Sequence, residues 1–317
     1  MKQLNTLVAG LLAGTLALAQ APGAVGPLTV LVGGPPGTPG DTVARALSEP
    51  LAAELGRPVV VENRPGAAGT IAIAAVSRAP RDGSTLGVFA LQAAAAPSLL
   101  KSVGYDTAAL QPVRQLSQVS NVLVVRHDHP ARTLAEVLEG ARAGALTYAS
   151  GGNGTPAHLA AELFRQRAGV ALRHVPFNGP VAGLAALAGG HVDLMFATVP
   201  AALPLLRAGK VRALATTASQ RLPQLPEVPT LAESGMAEAS LRDWHGLVAP
   251  MGTPAAEVEH LAAAVGRALA RPAVRERLVA AGLEPVADSG PVPFRRFVDA
   301  EMLRWSEVIR QAGITAQ

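Results

Sequence analysis

One pattern narrows the fold more than any other: short strand-like runs alternate with helical stretches, and the alternation happens twice. Runs at 28–32, 59–61 and 85–90 are separated by helical patterns over 42–55 and 70–77. Strand, helix, strand, helix, strand predicts a parallel sheet covered on both faces. The alternation restarts with strands at 122–125, 146–149, 172–175, 192–196 and 211–216. Between them lie a helix opened by the capping box Thr133-Leu134-Ala135-Glu136 and helices over 156–168, 181–188 and 200–208. Residues 93–118 read as irregular, and so does 219–243 apart from a second capping box at Thr230-Leu231-Ala232-Glu233. The tail offers one strand, 244–249, then helices over 255–270, 273–280 and 294–311. A lone strand has no sheet of its own, so the tail is expected to return to the first unit. The expected organisation is a discontinuous first lobe, 26–123 plus 244–317, and a second lobe, 124–243. A ligand cleft lies between them at the hinge.

Composition agrees with this size and excludes several functions. At about 150 residues per domain, 317 residues make two. The chain is 49% hydrophobic but 3% aromatic, so alanine, leucine and valine must fill the core. With 27 basic and 23 acidic residues the net charge is +4, and no block of like charge marks a nucleic-acid partner. The chain has no cysteine, which rules out disulfides, thiolate catalysis and cysteine-ligated zinc. At the N-terminus, Lys2 precedes an apolar run over 6–18 that falls short of the ~20 residues a membrane helix needs. With Ala17-Leu18-Ala19 it reads as a signal peptide, residues 1–19, cut after Ala19; a cut after Ala21 would place Pro22 just beyond it. An exported, soluble, monomeric protein is expected.

Three glycine-rich loops follow a strand and precede a helix: 33–41, 150–155, and Phe177-Asn178-Gly179. In open α/β sheets ligands bind beyond the carboxyl ends of strands, where free N–H groups and positive helix ends attract anions. Two such loops facing one another would hold a small carboxylate without arginine. Asp41 is the one acid in these loops, and a helix N-cap accounts for it. An amino-acid ligand would need an acceptor for its ammonium group, which leaves Asp41 as the loop candidate. Gly152-Asn153-Gly154 lacks the last glycine of a dinucleotide fingerprint, and no loop carries a P-loop lysine. His127-Asp128-His129 suits an exposed turn rather than a metal site, so neither cofactor nor metal is expected. Ser150 lacks the glycine that precedes a hydrolase nucleophile by two residues. His158, in the first turn after the second loop, is within reach of the cleft.

At these residues the chain resembles the periplasmic substrate-binding proteins of tripartite tricarboxylate transporters, the Bug receptors. The likeness runs through Pro35-Pro36-Gly37, Asp41-Thr42-Val43-Ala44-Arg45 and Val60-Val61-Glu62-Asn63-Arg64-Pro65-Gly66-Ala67-Ala68-Gly69. It continues through Tyr148-Ala149-Ser150-Gly151-Gly152-Asn153-Gly154-Thr155, Leu225-Pro226-Glu227-Val228-Pro229-Thr230 and Trp244-His245-Gly246-Leu247. The resemblance implies an α/β, two-lobed, Venus-flytrap fold (type II periplasmic-binding-protein) without catalysis. Each lobe would be a mainly parallel sheet flanked by helices. Such a receptor passes a small organic carboxylate, held with bridging waters, to integral-membrane permease subunits. It also implies a first wall of Pro36, Gly37, Thr38 and Asp41 with Gly69 and Thr70. The opposing wall would be Ser150, Asn153, Gly154, Thr155, Phe177, Asn178 and Gly179, with Phe196 and Ala197 beneath. The chain departs from the family where Gly34 replaces a usual aromatic, Thr38 a usual glycine and Gly40 a usual serine or threonine. Two other readings stay open: a secreted serine hydrolase using Ser150 with His158, and a receptor that presents its ligand to a membrane kinase.

Overall fold

The computed structural model describes residues 26–314, so the signal peptide expected at 1–19 lies outside the described residues. In chain order the elements are β1 (Leu28–Val32), α1 (Pro39–Leu55), β2 (Val59–Asn63), α2 (Thr70–Ser77), β3 (Thr85–Ala90), α3 (Leu91–Leu99) and β4 (Leu110–Arg126). Next come α4 (Leu134–Ala143), β5 (Leu146–Ser150), α5 (Pro156–Ala168), β6 (Leu172–Pro176), α6 (Pro180–Ala188), β7 (Leu194–Thr198), α7 (Val199–Arg207) and β8 (Val211–Thr216). The chain closes with β9 (Arg242–Pro250), α8 (Ala255–Ala270), α9 (Pro272–Ala280), β10 (Glu284–Pro285) and α10 (Pro291–Ala312).

The strands form two groups that share one member. In the first, β1 lies between β2 and β3 with both pairs parallel, and β9 inserts antiparallel between β3 and β4. In the second, β5 pairs in parallel with β6 and β7, and β4 runs antiparallel to β7 and β8. The change of partner falls within β4: residues up to Ser120 pair with β9, and from Asn121 onward the partner is β7. This is an α/β fold built on a curled mixed sheet with helices on its faces.

The irregular reading of 93–118 is corrected on two points. Leu91–Leu99 is helical, and β4 begins at Leu110, well before the expected strand at 122. With register shifts between Pro112 and Arg114 and between Gln115 and Ser117, Leu110, Val113, Leu116 and Val119 are all buried, Leu110 in one core and Val113 and Leu116 in the other. Apolar residues three apart match neither strand nor helix spacing, so bulges hid this strand.

Local signals fix most helix ends. Proline sits in the first turn of α1, α5 and α6, and left-handed Gly56 and Gly169 stop α1 and α5. One core packs α1 and α8 against the first strand group, with Val43, Leu47, Val265 and Leu269 buried there. On the other face Trp244 meets Phe89, Phe294 and Phe297 edge-on at 5.8, 5.9 and 5.3 Å. Its indole Nε1, like that of Trp305, donates to Glu301 Oε2, at 2.9 and 3.2 Å. No helix among the described residues is long and apolar enough to cross a membrane.

Candidate functional site

Four helices begin around one cavity of about 480 Å³. Thr38 precedes α1, Gly69 precedes α2, Thr155 precedes α5 and Gly179 precedes α6; all four line the cavity, and none caps its helix through a side chain. Each helix start leaves backbone N–H groups without an intrahelical partner. Proline lies just inside three of these starts, and its fixed φ suits the opening turn. The strand side is closed by Val88 and Ala90 of β3, Met195 and Thr198 of β7, and Asp243 and His245 of β9. The walls therefore present positive dipole ends to a part-open cleft, which suits a small anion.

Glycine is required where backbones abut. A Cβ on Gly33 would stand 2.6 Å from Gly69 Cα, so the loops ahead of α1 and α2 touch main chain to main chain. The other wall repeats this at Gly151, where a Cβ would stand 3.0 Å from Pro180 N. Between Gly66 and Gly69 the chain turns through Ala67 and Ala68 at φ 45° and 55°, a left-handed pair costly for residues with a Cβ. Both alanines line the cavity.

Of the residues anticipated from sequence, Thr38, Gly69, Thr155, Asn178 and Gly179 border the cavity. Pro36 and Gly37 lie on the exposed outside of their loop, and Thr70 is buried behind Gly69. Asn153, Gly154 and Phe177 stand back from the lining. Phe196 and Ala197 are fully buried, Phe196 against Phe164 at 5.4 Å, and their strand neighbours Met195 and Thr198 reach the cavity instead.

Asp41 is a correction. The N-cap is Thr38, immediately before Pro39, and Asp41 sits three residues later inside the first turn. Its carboxylate accepts from Gly37 N at 2.9 Å, Arg45 Nε at 2.9 Å and Asn63 Nδ2 at 2.9 Å. Asn63 Nδ2 also donates to Gly34 O at 2.9 Å. Asp41 thus braces the first loop from behind and has no place on the cavity wall.

Behind the second loop the rings of Tyr148, His174 and His158 stack, with centroids 4.8 Å and 4.2 Å apart. His158 is therefore not beside Ser150; its Nδ1 accepts from Gly154 N at 3.1 Å. His174 Nε2 is the nitrogen within hydrogen-bond distance of Ser150 Oγ, at 2.6 Å. A serine nucleophile also needs exposure and an acid to orient its base. Ser150 is fully buried, and both Glu162 oxygens are engaged elsewhere, by Tyr148 Oη at 2.6 Å and Arg165 Nε at 2.9 Å. Burial, and then the neighbouring His158, push His174 down to about 4, against the pull of Glu162. Ser150 instead accepts from Gly152 N at 3.0 Å and holds the loop in shape.

Asp243 and His245 are the two ionisable cavity residues that sequence reading missed. Both are buried, with His245 Nε2 3.8 Å from Asp243 Oδ2. Burial raises Asp243 to about 7, its own strand's Trp244 N–H opposing and the Glu301 charge adding to the rise. Burial lowers His245 to about 4. Between about pH 4 and about pH 7 the two sit as a neutral acid and a neutral imidazole. The sequence signal was two ionisable residues alternating with Trp244 at the head of an otherwise apolar strand. No cluster of metal-ligating side chains occurs among the described residues.

Opposed helix starts across a strand-lined cavity define a periplasmic-binding-protein architecture, and known structures agree. The structure of the periplasmic binding protein BugD superposes with a TM-score of 0.83 at 33% identity, covering 92% of this chain and 99% of that one. MatC from Rhodopseudomonas palustris with bound malate gives 0.81 at 36% identity over 90% and 99%. In sequence, Protein BugT of Bordetella pertussis is 36% identical over 295 residues, 90% of this chain and 89% of its own. Residues 43–314 match the tripartite tricarboxylate transporter family receptor, TctC. The chain belongs to that family of solute-binding receptors.

Proposed function

We propose that the protein is an exported receptor that captures a small organic carboxylate and delivers it to a membrane permease of the tripartite tricarboxylate type. One observation carries this reading: four uncapped helix starts converge on one cavity that has no lysine or arginine among its described lining residues. The volume suits a compact organic acid. In this reading residues 26–123 with 244–317 act as one lobe and 124–243 as the other, and they close on the ligand. Thr38, Gly69, Thr155, Asn178 and Gly179 supply the contacts, with loop geometry maintained by Asp41 and Ser150. The protein works as a monomer without cofactor and catalyses no reaction; the buried Ser150, with no acid behind His174, supports binding over hydrolysis. A signal peptide ending at Ala19 provides the export.

The test is a thermal-shift screen followed by calorimetry on the mature chain, using small mono- and dicarboxylates, amino acids, sugars and nucleotides. A specific ligand at 100 times its dissociation constant stabilises the folded state by about 2.7 kcal/mol. A carboxylate should raise the melting temperature, and Thr155→Trp should abolish that rise while the protein stays folded. A response confined to sugars or nucleotides would reject the reading.

A further inference from the structure

We infer that the cleft selects carboxylates that also carry an ammonium group, and that Asp243 is the acceptor for that cation. The inference rests on the carboxylate reading of the same cavity and adds the chemistry of the ligand's other end.

The cavity is electrically two-ended. Its loop side presents four helix starts, which attract an anion. On its strand side Asp243 is the one carboxylate among the described lining residues, and no lysine or arginine lines the space beside it. The charged groups around Asp243 have been spoken for. On α1, Asp41 and Arg45 pair with each other and with Asn63. On α10, Glu301 is held by Trp244, Trp305 and Arg304, and it adds negative charge rather than relieving it. Next along β9, Arg242 pairs with Glu284. Opposite Asp243, β4 offers the apolar Val119. His245 shares the cavity, but its ring is uncharged near neutral pH, and its Nδ1 is buried with no hydrogen-bond partner.

A buried carboxylate without a cation is costly, and so is a buried imidazole nitrogen without a partner. An ammonium group entering beside Asp243 relieves the first cost, and its N–H donors also offer a partner to His245. A second ligand carboxylate placed there would face Asp243 directly and would enter only with a proton shared between them. The two ligand classes therefore have opposite proton linkage. Ammonium stabilises ionised Asp243 and releases protons on binding, so affinity grows as pH rises through about 7. A dicarboxylate takes protons up and weakens over the same range.

The experiment compares matched probes on the full mature chain: α- and ω-amino acids such as γ-aminobutyrate, the corresponding monocarboxylates such as butyrate, and dicarboxylates such as glutarate. Titration calorimetry in buffers of different ionisation heat gives affinity and proton exchange together. At about pH 7.5 the best amino-carboxylate should bind at least about tenfold tighter than its deaminated and dicarboxylate counterparts, and at about pH 6.5, where Asp243 is still mostly protonated, its binding should release protons. Asp243→Asn should remove that preference and leave dicarboxylate binding unchanged or improved. If Asp243→Asn fails to fold, the direction of proton exchange in the unmodified chain decides. Tighter dicarboxylate binding with proton uptake, or an amino-carboxylate preference that survives Asp243→Asn, overturns this inference while the carboxylate reading stands. Binding of none of the three classes overturns both.

Discussion

Replacing Gly33 by alanine tests whether the first wall is built by backbone contact. The added Cβ would lie 2.6 Å from Gly69 Cα and 2.9 Å from Gly69 O. Carbon atoms settle at about 3.5–4.0 Å, so the overlap is about 1 Å. Both obstacles are main chain, so no rotamer change removes the clash and one loop has to move. Overpacking of this kind costs about 1–3 kcal/mol, and an immovable neighbour places Gly33→Ala at the upper end. At about 2.1 cal/mol/K of unfolding entropy per residue, 1 kcal/mol lowers Tm of a chain of this size by about 1.6 °C, so a fall of about 5 °C is expected. The starts of α1 and α2 would separate, and carboxylate affinity should fall at least about tenfold. Two controls calibrate the result. In Gly34→Ala the Cβ meets Thr38 Oγ1 at 2.5 Å, a side chain able to turn away, so a smaller loss is expected. In Gly144→Ala nothing lies within 4 Å, and the loss of unfolded-state freedom should stabilise slightly. Calorimetric melting and ligand titration of the three variants give the ranking. Equal melting temperatures with unchanged affinity would refute the claim that these loops touch.

Four further outcomes are expected. Stability should rise from about pH 4 to about pH 6.5, because His174 and His245 are held near 4 when folded and the unfolded chain binds more protons across that window. Asp243 opposes this, since its raised value makes the folded state bind more protons between about 4 and 7; Asp243→Asn should therefore steepen the rise and raise Tm at about pH 8. Tyr148→Phe leaves Glu162 Oε1 without its 2.6 Å donor in a buried site, and denaturant unfolding should show a loss of about 1–3 kcal/mol. Ser150→Ala should cost about 1 kcal/mol through the lost contacts to Gly152 and His174 while ligand affinity changes less than about threefold, measured by calorimetry; lost binding would return Ser150 to the cavity wall.

Much of the fold could be read from residue order alone, because its elements carry local signals. Helix α5 begins at Pro156 and ends before Gly169, and a strand of β-branched residues such as Val59-Val60-Val61 announces itself. β4 escaped because its bulges respace the apolar residues, and bulges depend on the partner strand β9, more than a hundred residues away. The candidate site was legible where it is made of loop ends, at Thr38, Gly69, Thr155, Asn178 and Gly179. It was misread where side-chain direction decides: Asp41 turns back to brace its own loop, and Met195 and Thr198 reach the cavity in place of their neighbours. Asp243 and His245 could not be placed beforehand, because only the insertion of β9 between β3 and β4 carries them to the cleft.

In the proposed function the grip on the anion is made of main chain, and this has a consequence for how such a receptor can change its ligand. Most substitutions leave backbone N–H groups where they were, so general capture of acids survives drift across much of the surface and is exposed chiefly at a few glycines. The strand-side positions Met195, Thr198, Asp243 and His245 belong to β7 and β9, outside the loops that carry those donors. On the proposed function, capture and discrimination are thus stored in separate parts of the molecule. A duplicated copy can explore new ligands by small steps at the strand side while every intermediate still holds a carboxylate.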